Sequence, residues 1–145
     1  MPESLGEHDP RLRDIYFIEG IGLCSNIFIF PEDDSISLVD TGSGMAPNAV
    51  SPQLEELGLK IERVTRVAIT HEHIDHIGGL TEICEHSSPE IFVHENDAHE
   101  VMSLGINSVD HLKDGDKIRL GRRELRVLHT PGHTKGACAC TMANS

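Results

Sequence analysis

Residues 70–79 read Thr70-His71-Glu72-His73-Ile74-Asp75-His76-Ile77-Gly78-Gly79, and four of their side chains can bind a metal: His71, His73, Asp75 and His76. A β-branched run over 64–69 comes directly before them and predicts a strand. Apolar residues at helical spacing over 75–85 predict a helix after them. Open α/β sheets place their ligand sites at the carboxyl ends of strands. The stretch therefore predicts a functional site at the end of a strand.

The spacing of these four side chains predicts metal binding. In an extended segment alternate residues share a face, so His71 and His73 can point at one ion. The turn into the helix presents Asp75 and His76 on another side, which leaves room for a second, adjacent ion. Imidazole and carboxylate donors together suit zinc, iron or manganese. The alternative is a polar surface loop that happens to contain histidines, and the density of these groups in a chain of ordinary composition disfavours it.

The flanking sequence predicts an α/β fold that begins with a meander of strands. Short β-branched or aromatic runs predict strands at 14–19, 26–30, 35–39, 91–93, 117–120 and 124–128. Two more helices are predicted, one over 96–104 and one over 50–59, the latter with Ser51 as its N-cap and Pro52 at its first position. The succession of strand, helix and strand over 64–93 predicts a crossover unit. No break in composition divides the chain, so residues 1–145 are expected to form a single domain.

Composition and charge exclude several classes of protein. The 145 residues include 38% hydrophobic and 25% charged side chains, which is too apolar for a disordered chain. No apolar run approaches the roughly twenty residues that span a bilayer. The formal charge of -12 and the absence of tryptophan disfavour nucleic acid as a partner. Acidic residues in 1–7 stand where a signal peptide would be basic, so we expect a cytoplasmic protein with no membrane partner.

The other histidines and the cysteines are expected to lie outside the site. His129 is interpreted as a strand-end residue hydrogen-bonded to the backbone, in preference to a metal ligand. Cys138 and Cys140 share one face of a predicted strand, where burial in the core is favoured over binding a soft metal. The remaining histidines expected outside the site are His86, after a helix, and His94, His99 and His111, in polar and exposed surroundings.

Residues 70–79 resemble the His-x-His-x-Asp-His signature of the metallo-β-lactamase-fold hydrolases. Two further segments stand in that family's order, Leu38-Val39-Asp40-Thr41-Gly42 before it and His129-Thr130-Pro131-Gly132-His133-Thr134 after it. The resemblance covers about 15–140 and implies a metallo-β-lactamase-type αβ/βα sandwich. Proteins of that family continue into a second half, which supplies a bridging aspartate and a later histidine. The single domain 1–145 is therefore expected to be C-terminally truncated and to hold mainly the N-terminal αβ half.

The resemblance also implies a role for each residue of the site. Asp75 would be the catalytic residue, because it would orient a metal-bound hydroxide while serving as a ligand. Asp40 would lie behind the ligands and fix their orientation through hydrogen bonds. One or two zinc ions are expected, with iron or manganese as alternatives. The implied ligands are His71, His73 and His133 for one ion, and Asp75 and His76 for the second.

The activity that the resemblance implies is metal-dependent hydrolysis of small acyl substrates, namely thioesters, esters or lactones. The hydroxyacylglutathione hydrolase (glyoxalase II) branch is the most similar, through the turn Gly22-Leu23-Cys24-Ser25-Asn26 and the compact motif 129–133. Low activity is expected of a truncated form. Two alternatives stay open: a mononuclear iron sulfur dioxygenase, and a metal-binding remnant without catalysis. Loss of the second half would uncover a sheet face, which predicts a homo-oligomer formed through that face.

Overall fold

The computed structural model describes residues 2–20, 25–45 and 49–142, and it contains two β-sheets. The larger sheet has seven strands that follow one another in chain order. They are β1 (Glu3–Ser4), β2 (Tyr16–Ile18), β3 (Ile27–Glu32), β4 (Ser35–Val39), β5 (Val64–Ala68), β6 (Glu90–His94) and β7 (Asp110–Leu112). Pairing is antiparallel from β1 to β4 and parallel from β4 to β7. The smaller, antiparallel sheet has the order β10-β9-β8, formed by β8 (Lys117–Leu120), β9 (Arg123–His129) and β10 (Cys138–Met142).

Short helices connect the parallel strands. They are α1 (Val50–Glu56), α2 (Ile74–Ile77), α3 (Leu80–His86) and α4 (Ala98–Met102), with short 3-10 helices at Ile61–Arg63 and Glu95–Asp97. Two further 3-10 helices, Leu5–Glu7 and Pro10–Leu12, lie between the antiparallel strands β1 and β2. Each parallel strand is thus followed by a helical crossover before the next one begins. As a result β4, β5 and β6 all end at the same edge of the larger sheet.

The larger sheet is buried on both faces. Successive residues of a strand point to opposite faces, so Leu38 and Val39 lie in different hydrophobic clusters. Leu38 and Val67 pack in the cluster that contains Leu54 of α1. Val39 packs in the cluster that contains Leu125 of the smaller sheet. Helices, larger sheet and smaller sheet therefore form successive layers, which confirms the predicted α/β class.

The single helix predicted over 75–85 is wrong in one respect, because the structure has two helices separated at Gly78 and Gly79. A Cβ atom on Gly78 would overlap the carbonyl oxygen of Ser43, and one on Gly79 would overlap that of Thr41. The amide of Gly79 donates to the hydroxyl of Thr41 over 3.0 Å. The glycines thus allow the loop after β4 to pack directly on the backbone, and that loop ends the first helix.

The start of α1 also differs from the prediction. The helix begins at Val50 after Ala49, and no side chain caps it, so Ser51 is not the N-cap and Pro52 is not the first helical residue. The amide of Ser51 donates instead to Glu82 of α3 over 3.3 Å. Strands β1 and β7 were not predicted, since neither sequence carries a β-branched run.

An apolar cavity of about 230 Å³ opens between the two sheets. Phe28, Phe30 and Val39 line it from the larger sheet, and Leu125 and Met142 from the smaller one. Self-association through the sheet face that a missing second half would uncover remains a prediction. Among the residues that the structure describes, no helix is both long and apolar enough to cross a bilayer.

Candidate metal centre

Three segments from the two sheets carry the predicted ligands. The loop after β5 carries His71 and His73, and helix α2 carries Asp75 and His76. The connection between β9 and β10 carries His133. The amide of Cys138 at the start of β10 donates to the carbonyl oxygen of Thr70 over 2.7 Å, which brings this connection to the loop after β5.

A first group of possible ligands consists of His71, His73 and His133. One ligand atom from each of the three imidazoles lies within 4.8 Å of the others. The ring centroids are 5.1 Å apart for His71 and His73, 5.0 Å for His71 and His133, and 4.4 Å for His73 and His133. The structure therefore brings together the three histidines predicted to hold one ion, although 60 residues separate two of them in the sequence.

A second group of possible ligands consists of His71, Asp75 and His76, whose ligand atoms also lie within 4.8 Å of one another. His76 Nε2 is 3.4 Å from Asp75 Oδ2, and the rings of His71 and His76 are 3.6 Å apart. His71 belongs to both groups. Within the described ranges the second group thus adds only two side chains of its own, and an ion there would be held by fewer protein atoms.

Asp40 lies directly behind the second group of possible ligands. It is buried, and its φ of 62° turns the chain sharply at the end of β4. Its Oδ1 accepts the amide of Thr70 over 2.8 Å, while its Oδ2 accepts the Thr70 hydroxyl over 2.7 Å and lies 2.8 Å from His76 Nδ1. A carboxylate only accepts hydrogen bonds, so His76 carries a proton on Nδ1, and its Nε2 is the ring nitrogen left to bind a metal.

The pKa values of two histidines follow from these surroundings. Burial, with the neighbouring His76, lowers the pKa of His71. Burial also lowers the pKa of His76, but the hydrogen bond and charge of Asp40 and the charge of Asp75 outweigh it, and the net shift is upward. His71 is therefore a neutral imidazole near pH 7, which is the form that binds a metal.

A second buried carboxylate, Asp97, contacts the loops of the site and was not predicted. Its Oδ2 accepts the amide of Glu72 over 3.0 Å and the hydroxyl of Thr134 over 2.7 Å, and its Oδ1 accepts the amide of Gly136 over 2.8 Å. Asp97 is 0% exposed. Its sequence neighbours are polar and typical of an exposed helix start, so they give no signal of this role.

Two of the remaining histidines form a stacked pair away from the ligands. His129 Nε2 lies 2.8 Å from the carbonyl oxygen of Lys135, which agrees with its interpretation as a histidine bonded to backbone. The prediction that His94 is exposed is wrong, since it is 7% exposed and its ring stacks on His129 at 4.0 Å. Its burial, together with His129, lowers the pKa of His94. His99 and His111 are exposed, as predicted, and so is His86, which is the last residue of α3.

The cysteines of β10 also lie where the sequence predicts. Cys138 is buried and Cys140 partly buried, and burial raises the pKa of both thiols to about 11. Neither joins a metal-binding group among the described residues. Gly22, Leu23 and Cys24, part of the turn that resembles the hydroxyacylglutathione hydrolase branch, lie outside the described residues.

The donor set fits a divalent ion. Three imidazoles, with a carboxylate and a fourth imidazole beside them, are the ligands that zinc, iron and manganese share in proteins. Buried carboxylates that accept hydrogen bonds from the ligands or from their loops are typical of such centres. The fold and the site thus define an α/β sandwich protein with a histidine-rich candidate metal centre at the edge of its larger sheet.

Comparison with known proteins places the chain in a family. Residues 20–144 match the metallo-beta-lactamase superfamily, and the chain belongs to it. It is 34% identical over 113 residues to a hydroxyacylglutathione hydrolase of Methylococcus capsulatus, covering 74% of this chain and 43% of that protein. A hydroxyacylglutathione hydrolase of Rhodospirillum rubrum is also 34% identical, over 118 residues that cover 78% of this chain and 44% of that protein.

Solved structures agree with this assignment. The class B3 di-zinc metallo-beta-lactamase LRA-12 from an Alaskan soil metagenome superposes with a TM-score of 0.74 at 28% identity, covering 89% of this chain and 54% of that one. The predicted metallo-β-lactamase fold is therefore confirmed. The chain spans less than half the length of the two curated relatives.

Proposed function

We propose that the protein is a metal-dependent hydrolase of small acyl substrates, with hydroxyacyl-glutathione thioesters as the first candidate class. The observation that carries the proposal is the convergence of His71, His73 and His133 from two sheets, with ligand atoms within 4.8 Å of one another. Similarity to the two hydroxyacylglutathione hydrolases supports the thioester class. The formal charge of -12 also favours a small molecule over nucleic acid.

The chain's own residues divide the work of such a reaction. His71, His73 and His133 would hold the first ion, and Asp75 and His76, with His71 between the groups, would hold a second. A bound divalent ion supplies Lewis-acid chemistry, which lowers the pKa of water and stabilises negative charge on a carbonyl oxygen. Zinc is the ion we expect.

Asp75 is the residue to which we assign orientation of the attacking water. Its side chain is 37% exposed and lies beside His76, so its carboxylate borders both the ligands and solvent. It can accept a hydrogen bond from the attacking water and so direct a lone pair of that water toward the scissile carbonyl. Asp40 acts through His76, whose Nδ1 it holds at 2.8 Å, and is therefore a positioning residue.

A second candidate is a mononuclear iron sulfur dioxygenase, because three imidazoles around one ion suit iron as well as zinc. Elemental analysis separates the two, since zinc supports the hydrolase and iron with oxygen consumption supports the dioxygenase. A metal-binding remnant without catalysis would bind the ion and turn over neither substrate.

The test is hydrolysis of a hydroxyacyl-glutathione thioester by the metal-loaded protein. The loss of the thioester absorbance measures the rate. His73→Ala removes a ligand, and His111→Ala is its matched control because His111 is an exposed histidine outside both groups. We expect hydrolysis by the wild type and by His111→Ala, and none by His73→Ala. Equal rates for all three proteins, or no rate with any thioester, ester or lactone at full metal loading, would refute the proposal.

A further inference from the structure

A buried carboxylate that is not itself a metal ligand joins the two loops that carry the first group of ligands. Asp97 is 0% exposed and accepts three hydrogen bonds, from the amide of Glu72, the hydroxyl of Thr134 and the amide of Gly136. Glu72 lies between His71 and His73, and Thr134 follows His133 directly. Every donor to Asp97 therefore belongs to a loop that carries a ligand.

We propose that Asp97 is a positioning residue that fixes His133 relative to His71 and His73 and thereby sets the affinity of the first metal site. This inference rests on the metal site of the proposed function. His133 belongs to the connection between two strands of the smaller sheet, whereas His71 and His73 follow a strand of the larger one. Their relative position depends on contacts between the loops, and Asp97 supplies three of them.

Helix capping, the usual structural role of an aspartate at this position, does not account for the contacts of Asp97. Asp97 occupies the N-cap position of α4, where aspartate side chains usually accept a hydrogen bond from the helix. Here its side chain makes no such capping bond and is directed to the two loops instead. The loop also fits closely around it, since a Cβ atom on Gly136 would lie 2.5 Å from Asp97 Oδ1.

The chemistry of the three donors requires a carboxylate at position 97. If asparagine replaced it with its oxygen toward Glu72 and Thr134, its amide nitrogen would face the amide of Gly136. In the opposite orientation the nitrogen would face the amide of Glu72. A hydroxyl can reverse its role, but a backbone amide cannot, so Asp97→Asn leaves one buried amide without an acceptor in either orientation. One of the two loops must then move.

Cobalt binding to the full chain tests the inference without any assay of hydrolysis. Cobalt(II) can occupy sites of this kind, and the intensity of its visible absorption bands reports how many ligands surround it. Four variants are compared with the wild type: Asp97→Asn, Thr134→Val, Thr134→Ser and Thr130→Val. Thr134→Val removes one donor to Asp97 and nearly preserves shape, whereas Thr134→Ser keeps that donor. Thr130→Val is the matched control, because its hydroxyl donates to the carbonyl oxygen of Ala137 in the same loop and does not contact Asp97.

We expect Asp97→Asn and Thr134→Val to weaken binding of the first cobalt ion by about 10- to 100-fold and to change its spectrum, as loss of such supporting partners does in other metal sites. Thr134→Ser and Thr130→Val should match the wild type in both measurements. The thermal midpoint of each metal-free protein is measured in parallel. A lower midpoint with unchanged cobalt affinity and spectrum in Asp97→Asn and Thr134→Val would overturn the inference and leave Asp97 a purely structural residue. A wild-type chain that binds no cobalt would instead refute the metal site, and with it the proposed function.

Discussion

Replacement of Gly79 by alanine should destabilise the protein, because the backbone of Thr41 packs so closely on Gly79 that no side chain fits there. A Cβ atom at this position would overlap the carbonyl oxygen of Thr41 and lie 2.9 Å from its Cβ. The φ of Gly79 is -77°, which alanine adopts freely, so backbone strain contributes nothing. The effect is therefore one of space alone.

The size of the effect can be worked out from the same contacts. Overpacking of this kind costs about 1 to 3 kcal/mol, and the overlap with backbone, which yields little, favours the upper part of that range. The amide of Gly79 donates to Thr41 Oγ1 over 3.0 Å, and a lost bond of this kind adds about 1 kcal/mol. Alanine restricts the unfolded chain and returns about 0.5 kcal/mol. We expect a net loss of about 2.5 to 3.5 kcal/mol in the free energy of unfolding.

The displacement should also reach the candidate metal centre. The carbonyl oxygen of His76 accepts the amide of Thr41 over 2.9 Å and its hydroxyl over 2.8 Å. If Thr41 moves to make room for a methyl group at position 79, His76 moves with it. Binding of a second metal ion should weaken for that reason.

Urea unfolding of the metal-free protein measures the first effect, and Gly58→Ala is its control. Gly58 has a φ of 74° and no atom within 4 Å of an added Cβ, so alanine there costs only backbone strain, about 1 kcal/mol. If Gly79→Ala costs no more than Gly58→Ala, the packing of the loop on these glycines is not what the structure indicates.

Three further predictions concern the site and the fold. Elemental analysis should find about one tightly held ion per chain, and His73→Ala should lower that content far more than His129→Ala, because His129 is bonded to backbone; equal losses would contradict this. In any form that is active, Asp75→Asn should lower kcat about a hundredfold with a smaller change in KM, and unchanged steady-state kinetics would exclude Asp75 from the reaction. The hydrogen bond from Arg123 lowers the pKa of Asp14 below its usual 3.8. Asp14→Asn should therefore cost about 1 kcal/mol of stability above pH 3.8, and progressively less as the pH falls through the lowered pKa. Urea unfolding at a series of pH values measures this cost, and a cost that does not change with pH would contradict the prediction.

The strands that frame the site could be predicted because their signal is local. Alternation and β-branched runs are properties of a few consecutive residues, and β3, β4, β5 and β9 were predicted from them with small errors at their ends. Strand β7 is different. Its sequence Asp110–Leu112 has no such run, and pairing with β6 places it in the sheet.

The errors in the site arise from contacts between distant residues. Its candidate ligands could be named from the sequence because four of them fall in one short motif, and His133 follows from the order of the family's segments. Asp97 was missed because its partners Glu72 and Thr134 are 25 and 37 residues away. His94 was placed on the surface because its neighbours are polar, whereas stacking on His129 buries it. In both cases the information lies in the packing of loops and is absent from the local sequence.

The topology of the larger sheet explains why a buried carboxylate, Asp40 or Asp97, lies on each side of the possible ligands. Strand β5, which leads into His71, is flanked by the parallel strands β4 and β6. Asp40 directly follows β4 and holds the second group through His76, and Asp97 follows β6 after a single 3-10 turn and holds the loops of the first group. Since parallel strands end at one edge, carboxylates placed just after the two neighbours must lie beside the loop between them. The positions of Asp40 and Asp97 beside the candidate metal centre therefore follow from strand order, and each group of possible ligands has its own carboxylate.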